Sequence, residues 1–139
     1  MFKKILVPYD GSYHSERALE AAIEIAKNDK AAIHVIYAYD KLPKYLGEPN
    51  LQEVLNRVLT AARGLVEGAA QHAHAHGIEV TTDVLEGPAA DAILRAAETE
   101  GFDLIVIGSR GLGHLKGLLI GSVSERVVRQ AKTPVMIMR

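Results

Sequence analysis

The sequence predicts an α/β protein with an open sheet of five parallel strands and helices on both faces. Short apolar runs alternate with helix-length amphipathic segments in the order β-α-β-α-β-α-β-α-β, the pattern of a parallel sheet with right-handed crossovers. The run at residues 103–107 (DLIVI) is almost continuously apolar, as expected for a strand covered on both faces. The 139 residues contain no internal repeat and no long linker, so we expect one domain over residues 1–139.

The amino-terminal part predicts a strand, a helix and a second strand. Residues 3–9 (KKILVPY) form a short apolar run that ends at the turn residues Asp10-Gly11-Ser12. Apolar residues then recur at helical spacing through Lys27, and Ser12 stands where an N-cap belongs. Residues 31–39 (AAIHVIYAY) are rich in β-branched and aromatic side chains, which favours a strand.

The middle of the chain carries the longest helical pattern. Apolar side chains keep the i, i+3, i+4, i+7 rhythm from Leu51 to Ala73, and Gly77 follows as a signal for the helix end. Residues 78–85 (IEVTTDVL) alternate between apolar and polar side chains, which predicts the third strand.

The remaining elements follow in the same alternation. They are a helix that Gly87-Pro88 opens over residues 90–97, the fourth strand at 103–107, a glycine-rich stretch at 108–122, a short helix that begins at Ser122 or Ser124, and a last strand at 135–138 (VMIM) after Pro134.

Composition excludes several classes of protein. The chain contains no cysteine, which removes disulfides, thiol catalysis and thiolate metal sites. The 16 Lys and Arg are balanced by 17 Asp and Glu. A protein that binds nucleic acid through its overall positive charge is basic, so this composition disfavours that class. No apolar run approaches the ~20 residues that span a bilayer, and the first run breaks at Pro8, too early for a signal peptide. We therefore expect a cytoplasmic protein that binds neither nucleic acid nor membrane.

Three segments meet at one edge of the predicted sheet. In open parallel sheets, ligands bind beyond the carboxyl ends of the strands, near the point where the strand order reverses. Residues 8–12, residues 38–40 and the stretch that begins at Gly108 all follow strands at that edge. Their coincidence predicts one ligand site.

The glycine-rich stretch has the features of an anion site. Glycines let backbone N–H groups approach an anion, and Gly121-Ser122 lies at a helix start, where N–H groups and the helix dipole favour phosphate. A flexible glycine loop without a ligand is the alternative, and these residues alone leave both open. The basic side chains of residues 108–132 are Arg110, Lys116, Arg126, Arg129 and Lys132, against one acid, Glu125.

Two common phosphate-binding fingerprints are absent. Lys116 precedes Gly117 instead of following it, which breaks the P-loop pattern. A dinucleotide fingerprint begun by Gly111 and Gly113 would have Lys116 in place of its third glycine.

The spacing of the glycines nevertheless resembles a family signature. Gly108-x2-Gly111-x9-Gly121-Ser122 is similar to the nucleotide-binding signature of the universal stress proteins. Residues 5–12 (ILVPYDGS), 101–111 (GFDLIVIGSRG) and 134–138 (PVMIM) resemble the same family, so the likeness covers essentially the whole chain. The resemblance implies a Rossmann-like sheet in the strand order 3-2-1-4-5, the ATP-binding branch of the family, and a homodimer through the last strand, residues 135–138.

The resemblance also implies which residues contact the nucleotide. Pro8 and Asp10 would lie at the ribose and adenine side, and the backbone near Ala38 would meet the adenine edge. The implied cofactor is ATP, with Mg²⁺ or Mn²⁺ as candidate ions for which the sequence assigns no ligand. The positions that would wrap the ribose and phosphates or close the site are Gly108, Ser109, Arg110, Gly111, Gly113, Gly121, Ser122, Val123 and Ser124.

Histidines suggest two further hypotheses. His72 and His76 stand one turn apart on a predicted helix, the spacing of two metal ligands. His74 points elsewhere and no nearby carboxylate completes a metal site, so the alternative is a solvated helix end, where histidines suit the helix dipole. His14, one turn into the first helix, could form a dyad with Asp10, but no serine-nucleophile motif accompanies it.

The predicted function is that of a binding module, an ATP-binding stress-response regulator that changes state with nucleotide and acts on an unidentified protein partner. One alternative is a slow ATPase or phosphotransferase that uses the same pocket, although no general base and no Walker-type lysine is evident. The other alternative is a nucleotide-free dimerisation module, which the intact glycine pattern disfavours.

Overall fold

The computed structural model describes residues 1–111 and 120–139. The alternation of strands and helices predicted from the sequence is confirmed in these ranges. None of the helices described there is long and apolar enough to cross a membrane. The elements are β1 (Lys4–Pro8), α1 (Tyr13–Asp29), β2 (Ala32–Tyr39), a 3₁₀ turn (Lys44–Leu46), α2 (Asn50–His74), β3 (Val80–Glu86), α3 (Ala89–Thr99), β4 (Leu104–Gly108), α4 (Ser122–Gln130) and β5 (Val135–Met138).

The strands form one parallel sheet in the order β3-β2-β1-β4-β5. The predicted order 3-2-1-4-5 is therefore confirmed. In the central strand β1, Ile5 lies opposite Ile33 of β2 on one side and Leu104 of β4 on the other. The strand order reverses between β1 and β4, so the space beyond their carboxyl ends is the topological switch point.

Both faces of the sheet are covered by helices. Alternate side chains of β1 divide between two apolar cores, with Ile5 and Val7 packed among residues of α1 and α2, and Leu6 among residues of α3 and α4. All three side chains are fully buried. This double coverage explains why the sequences of β1 and β4 are continuous apolar runs.

The end of α1 differs from the sequence prediction, and the start of α4 agrees with one of the two predicted starts. The Oγ of Ser12 accepts a hydrogen bond from the Ser15 N–H at 3.2 Å, which confirms the predicted N-cap. The helix α1 continues past Lys27 because a non-glycine residue, Lys30, adopts the left-handed conformation at φ 57° and supplies the C-cap. At α4, the N-cap is Gly121, so the helix begins at Ser122 and not at Ser124.

Candidate functional site

A cavity of about 430 Å³ opens at the switch point. Its walls are the carboxyl ends of β1, β2 and β4 together with the first turns of α3 and α4. Small-molecule sites commonly have volumes of roughly 300–1,000 Å³, so this cavity can hold a ligand of nucleotide size. The lining residues are Pro8, Tyr9, Asp10, Ser15, Ile36, Tyr37, Ala38, Asp40, Ala89, Ile93, Ile107, Gly108, Arg110, Gly111, Gly121, Ser122, Val123 and Ser124.

The cavity brings together most of the site residues predicted from the sequence. Ser109 is an exception: it is 2% exposed and lies behind the cavity wall, where its N–H donates to the Met138 carbonyl at 2.6 Å. Gly113 lies outside the described residues. The predicted residues that line the cavity are Pro8, Asp10, Ala38, Gly108, Arg110, Gly111, Gly121, Ser122, Val123 and Ser124.

One part of the lining is apolar. Ile36 of β2 and Ile93 of α3 belong to the core between the sheet and α3, and both reach the cavity. Pro8, Ala38 and Ala89 extend this wall. An apolar surface of this kind suits a flat aromatic ring, because moving the apolar faces of the ring out of water is favourable.

Another part of the lining is the start of α4. Among the described residues, no side chain caps this helix, whose N-cap is Gly121. The first N–H groups of a helix have no intrahelical partner, and the positive end of the dipole lies there, so an anion is favoured. Two short bonds fix the helix start to the end of β4: the Gly121 N–H donates to the Ser109 carbonyl at 2.6 Å, and the Ser124 hydroxyl donates to the Gly108 carbonyl at 2.6 Å.

Arg110 adds a positive charge to this part of the cavity. Of the described residues that line the cavity, it is the one with a basic side chain. Its Nε is buried and has no hydrogen-bond partner in the described structure. A buried donor without a partner costs free energy, and an anionic ligand would supply that partner.

Asp10 connects the turn after β1 with the glycine-rich stretch. One carboxylate oxygen, Oδ1, accepts a hydrogen bond from the Ser12 N–H at 2.9 Å. A Cβ added to Gly111 would lie 2.6 Å from the other oxygen, Oδ2, so the side chain of Asp10 occupies the space that any larger residue at position 111 would need. An ionised carboxylate only accepts hydrogen bonds, which suits a hydroxyl-bearing ligand such as a sugar.

Two tyrosines in the lining have raised pKa values. Burial raises the pKa of the Tyr37 hydroxyl, and the nearby carboxylates of Asp40 and Asp10 raise it further. Burial is also the main cause of the raised pKa of Tyr9, with smaller effects from Glu16 and Asp10. Both hydroxyls therefore stay neutral near pH 7, because the charged form is disfavoured.

The glycines of the signature differ in what the protein requires of them. A Cβ on Gly108 would lie 2.6 Å from the carbonyl carbon of His14 in α1, so close packing of α1 against β4 requires glycine. A Cβ on Gly121 would lie 3.4 Å from its nearest neighbour, the Ser109 carbonyl oxygen, which is an ordinary contact distance. Among the described residues, packing therefore does not require glycine at position 121.

The histidine hypotheses gain no support from the geometry. His14 does not line the cavity, and its Nδ1 is buried without a hydrogen-bond partner among the described residues. On the outer surface, His72 contacts the carboxylate of Glu20, and the ring centroids of His72 and His76 are 5.4 Å apart. Within residues 1–111 and 120–139, no group of three or more metal-ligating side chains is suited to hold an ion.

The sequence-based prediction missed the contribution of α3 to the cavity. Ala89 and Ile93 are four residues apart on one face of that helix. Gly87-Pro88 marked the start of a helix after the third strand, which is a weak signal for the same edge of the sheet. Tyr9 and Asp40 lie in the segments 8–12 and 38–40 that the sequence places at this edge, although neither was named as a site residue. The lining residues missed altogether, besides those of α3, are Ser15, Ile36, Tyr37 and Ile107.

Known proteins match the chain over its full length. Residues 1–139 match the family model described as "Universal stress protein family". A Thermus aquaticus protein, "Universal stress protein in QAH/OAS sulfhydrylase 3'region", is 42% identical over 145 residues, which cover 100% of both chains. The solved structure of the Methanocaldococcus jannaschii protein MJ0577 has a TM-score of 0.91 and 29% identity, and the match covers 99% of this chain and 96% of that one. A universal stress protein solved in complex with cAMP has a TM-score of 0.72 and 29% identity, with 99% of this chain and 97% of that chain covered.

Proposed function

Because the chain belongs to the universal stress protein family, we propose that it binds ATP in the cavity at the carboxyl edge of the sheet and acts as a nucleotide-dependent regulator in a stress response. One observation carries the proposal: the cavity joins an apolar wall to a helix start without a side-chain cap. Arg110 lies beside that helix start, and its buried Nε has no partner in the described structure.

The lining fits the parts of an adenine nucleotide in order. The adenine ring would lie against the apolar wall of Ile36 and Ile93, near the backbone of Ala38. The ribose hydroxyls would donate hydrogen bonds to the carboxylate of Asp10. The phosphates would meet Gly108, Arg110 and Gly111, and the N–H groups at the start of α4.

Two further observations support an adenine nucleotide. A family member with 29% identity was solved with cAMP, which contains the same base and sugar. The lining also retains Gly108, Gly111, Gly121 and Ser122, which resemble the signature of the ATP-binding branch. Mg²⁺ or Mn²⁺ would accompany the phosphates and would need few protein ligands, since such ions keep most of their waters.

Binding, and not turnover, is the activity that the lining favours. None of the described lining residues is a histidine or a lysine. The tyrosines stay protonated, and Oδ1 of Asp10 accepts the Ser12 N–H. The acceptors left in the described lining for a general base are the carboxylates of Asp10 and Asp40. We propose that any slow ATP hydrolysis they support is incidental to regulation.

We also propose a homodimer, formed through β5. This strand pairs with β4 alone, and no other described strand pairs with its outer edge. Its residues Val135–Met138 are apolar and partly exposed. An open apolar edge is prone to pair with another strand, and an isologous contact with a second copy would cover it about a two-fold axis.

Replacement of Gly121 by valine tests the nucleotide site. The backbone at Gly121 has φ −78° and ψ 164°, which valine adopts readily. A Cβ there meets no atom of the described residues closer than 3.4 Å. Gly121→Val should therefore fold but fill the space proposed for phosphate. We expect isothermal titration calorimetry to give saturable ATP binding for the unchanged chain and at least a tenfold weaker affinity for the variant.

Gly64→Val is the matched control. Gly64 lies on the exposed side of α2, and a Cβ there meets nothing within 4 Å. This variant should bind ATP as the unchanged chain does. A Gly121→Val variant that is folded by circular dichroism and binds ATP with unchanged affinity would overturn the proposed site.

A further inference from the structure

Arg110 lies at the part of the cavity that the start of α4 forms. Its Cα and Cγ lie 3.5 Å and 3.8 Å from the position that a Cβ on Gly121 would take, so the stem of the side chain runs along the start of α4. The same residue lines the cavity. Arg110 therefore borders the same part of the cavity as the N–H groups at the start of α4.

The other basic side chains of α4 and the segment after it are engaged elsewhere. Arg126 pairs with Asp91 of α3, and Arg129 pairs with Glu125 one turn earlier on α4. Lys132 pairs with Glu98 at 3.1 Å. None of the three lines the cavity. Arg110 is therefore the described cation that a ligand in the cavity would meet.

The acidic side chains in the lining make the attraction by Arg110 important for the affinity of anionic ligands. Asp10 and Asp40 both line the cavity, and their carboxylates repel phosphate. Each further phosphate group adds negative charge, so both the repulsion and the attraction by Arg110 increase with the length of the phosphate chain. The planar guanidinium also bonds phosphate oxygens in pairs, which a point charge does not.

From these contacts we infer that Arg110 is the residue by which this site selects nucleoside triphosphates over monophosphates. The inference rests on the proposed nucleotide site and adds to it a single determinant of ligand class. The apolar wall and Asp10 serve all adenine nucleotides alike, whereas Arg110 acts on the phosphates beyond the first.

The test compares ATP, ADP and AMP affinities by calorimetry for the unchanged chain and three variants. Arg110→Gln should weaken ATP binding at least about tenfold, the factor expected for a lost hydrogen bond to a charged group, and should change AMP affinity less than about threefold. Arg110→Lys keeps the positive charge but not the paired N–H donors of the guanidinium, so its ATP affinity should lie between those of the unchanged chain and Arg110→Gln. Arg129→Gln removes one positive charge from an exposed ion pair outside the cavity and should leave all three affinities unchanged.

Two outcomes separate this inference from the proposed function. If Arg110→Gln is folded and loses equal factors for ATP and AMP, or loses none for ATP, the selection by Arg110 is overturned while the nucleotide site stands. If the unchanged chain binds none of the three nucleotides, the proposed function is overturned and this inference falls with it. A weaker salt dependence of ATP binding in Arg110→Gln than in the unchanged chain is also expected, because salt screens the charge that the variant lacks.

Discussion

The close approach of α1 to the end of β4 predicts that Gly108→Ala destabilises the fold. The added Cβ would lie 2.6 Å from the carbonyl carbon of His14 and 2.8 Å from both its Cβ and its carbonyl oxygen. Non-bonded carbon atoms attract best at about 3.5–4.0 Å, so α1 and β4 would have to separate by about 1 Å. The obstructing atoms are backbone atoms and a Cβ, and no change of rotamer removes them.

The cost follows from how tightly this part of the core is packed. The whole of β4 is buried, and α1 contributes Ala18, Ala22 and Ile23 to the adjoining core. Overpacking of such a region costs about 1–3 kcal/mol, a large share of the ~5–15 kcal/mol by which a domain of this size is stable. We expect the midpoint of thermal unfolding to fall by about 3–10 °C.

Urea and thermal unfolding followed by circular dichroism measure this effect. Gly121→Ala is the matched control, because its Cβ meets no described atom closer than 3.4 Å and its φ is −78°. The control should lower the free energy of unfolding by less than about 1 kcal/mol, the cost of alanine in place of glycine at an N-cap. Equal stability of Gly108→Ala and the unchanged chain would refute the reasoning that packing, and not only a ligand, requires glycine at this position.

The remaining predictions concern the ion, the assembly and the pH dependence. Mg²⁺ should tighten ATP binding because it bridges phosphate oxygens; equal affinities in EDTA and in excess Mg²⁺ would contradict this. Ile137→Lys should weaken self-association by placing a charge on the edge strand β5, and sedimentation at micromolar concentration that finds a monomer for the unchanged chain would exclude the dimer. Burial lowers the pKa of His34 in the folded protein. As the pH falls, His34 therefore takes up a proton in the unfolded chain before it does so in the folded one. The free energy of unfolding is at its full value above about pH 6.5 and decreases as the pH falls below it. His34→Asn should flatten this pH dependence in urea titrations, and an unchanged slope would count against it.

Much of the fold follows from residue patterns that act locally. The apolar runs of β1 and β4 and the helical rhythm of α2 each reflect burial that a strand or helix must achieve, so periodicity predicted them. The left-handed C-cap at Lys30 and the 3₁₀ turn at Lys44–Leu46 carry no such signal. Their conformations depend on neighbouring segments and were not predicted.

The candidate site was predicted where chain connectivity alone places a residue, and missed where packing decides. Pro8 and Ala38 lie at the ends of strands, and parallel strands end at one edge, so their place in the cavity followed from the sequence. Ile93 lines the cavity because α3 crosses that edge of the sheet, which no local pattern encodes. Gly108 and Gly121 look alike in the sequence, and only the distances to α1 and to Ser109 show that packing requires glycine at 108 and, among the described residues, not at 121.

A competition experiment tests the proposed adenine nucleotide site most directly. The purified chain would be incubated with equal concentrations of ATP, GTP, CTP and UTP, freed of unbound nucleotide by gel filtration and denatured, and the released small molecules identified by mass spectrometry. We predict that ATP is retained in a fixed ratio to the chain, that the other nucleotides are removed, and that Gly121→Val retains none. Equal retention of all four nucleotides, or retention of none by the unchanged chain, would contradict an adenine nucleotide site at the carboxyl edge of this sheet.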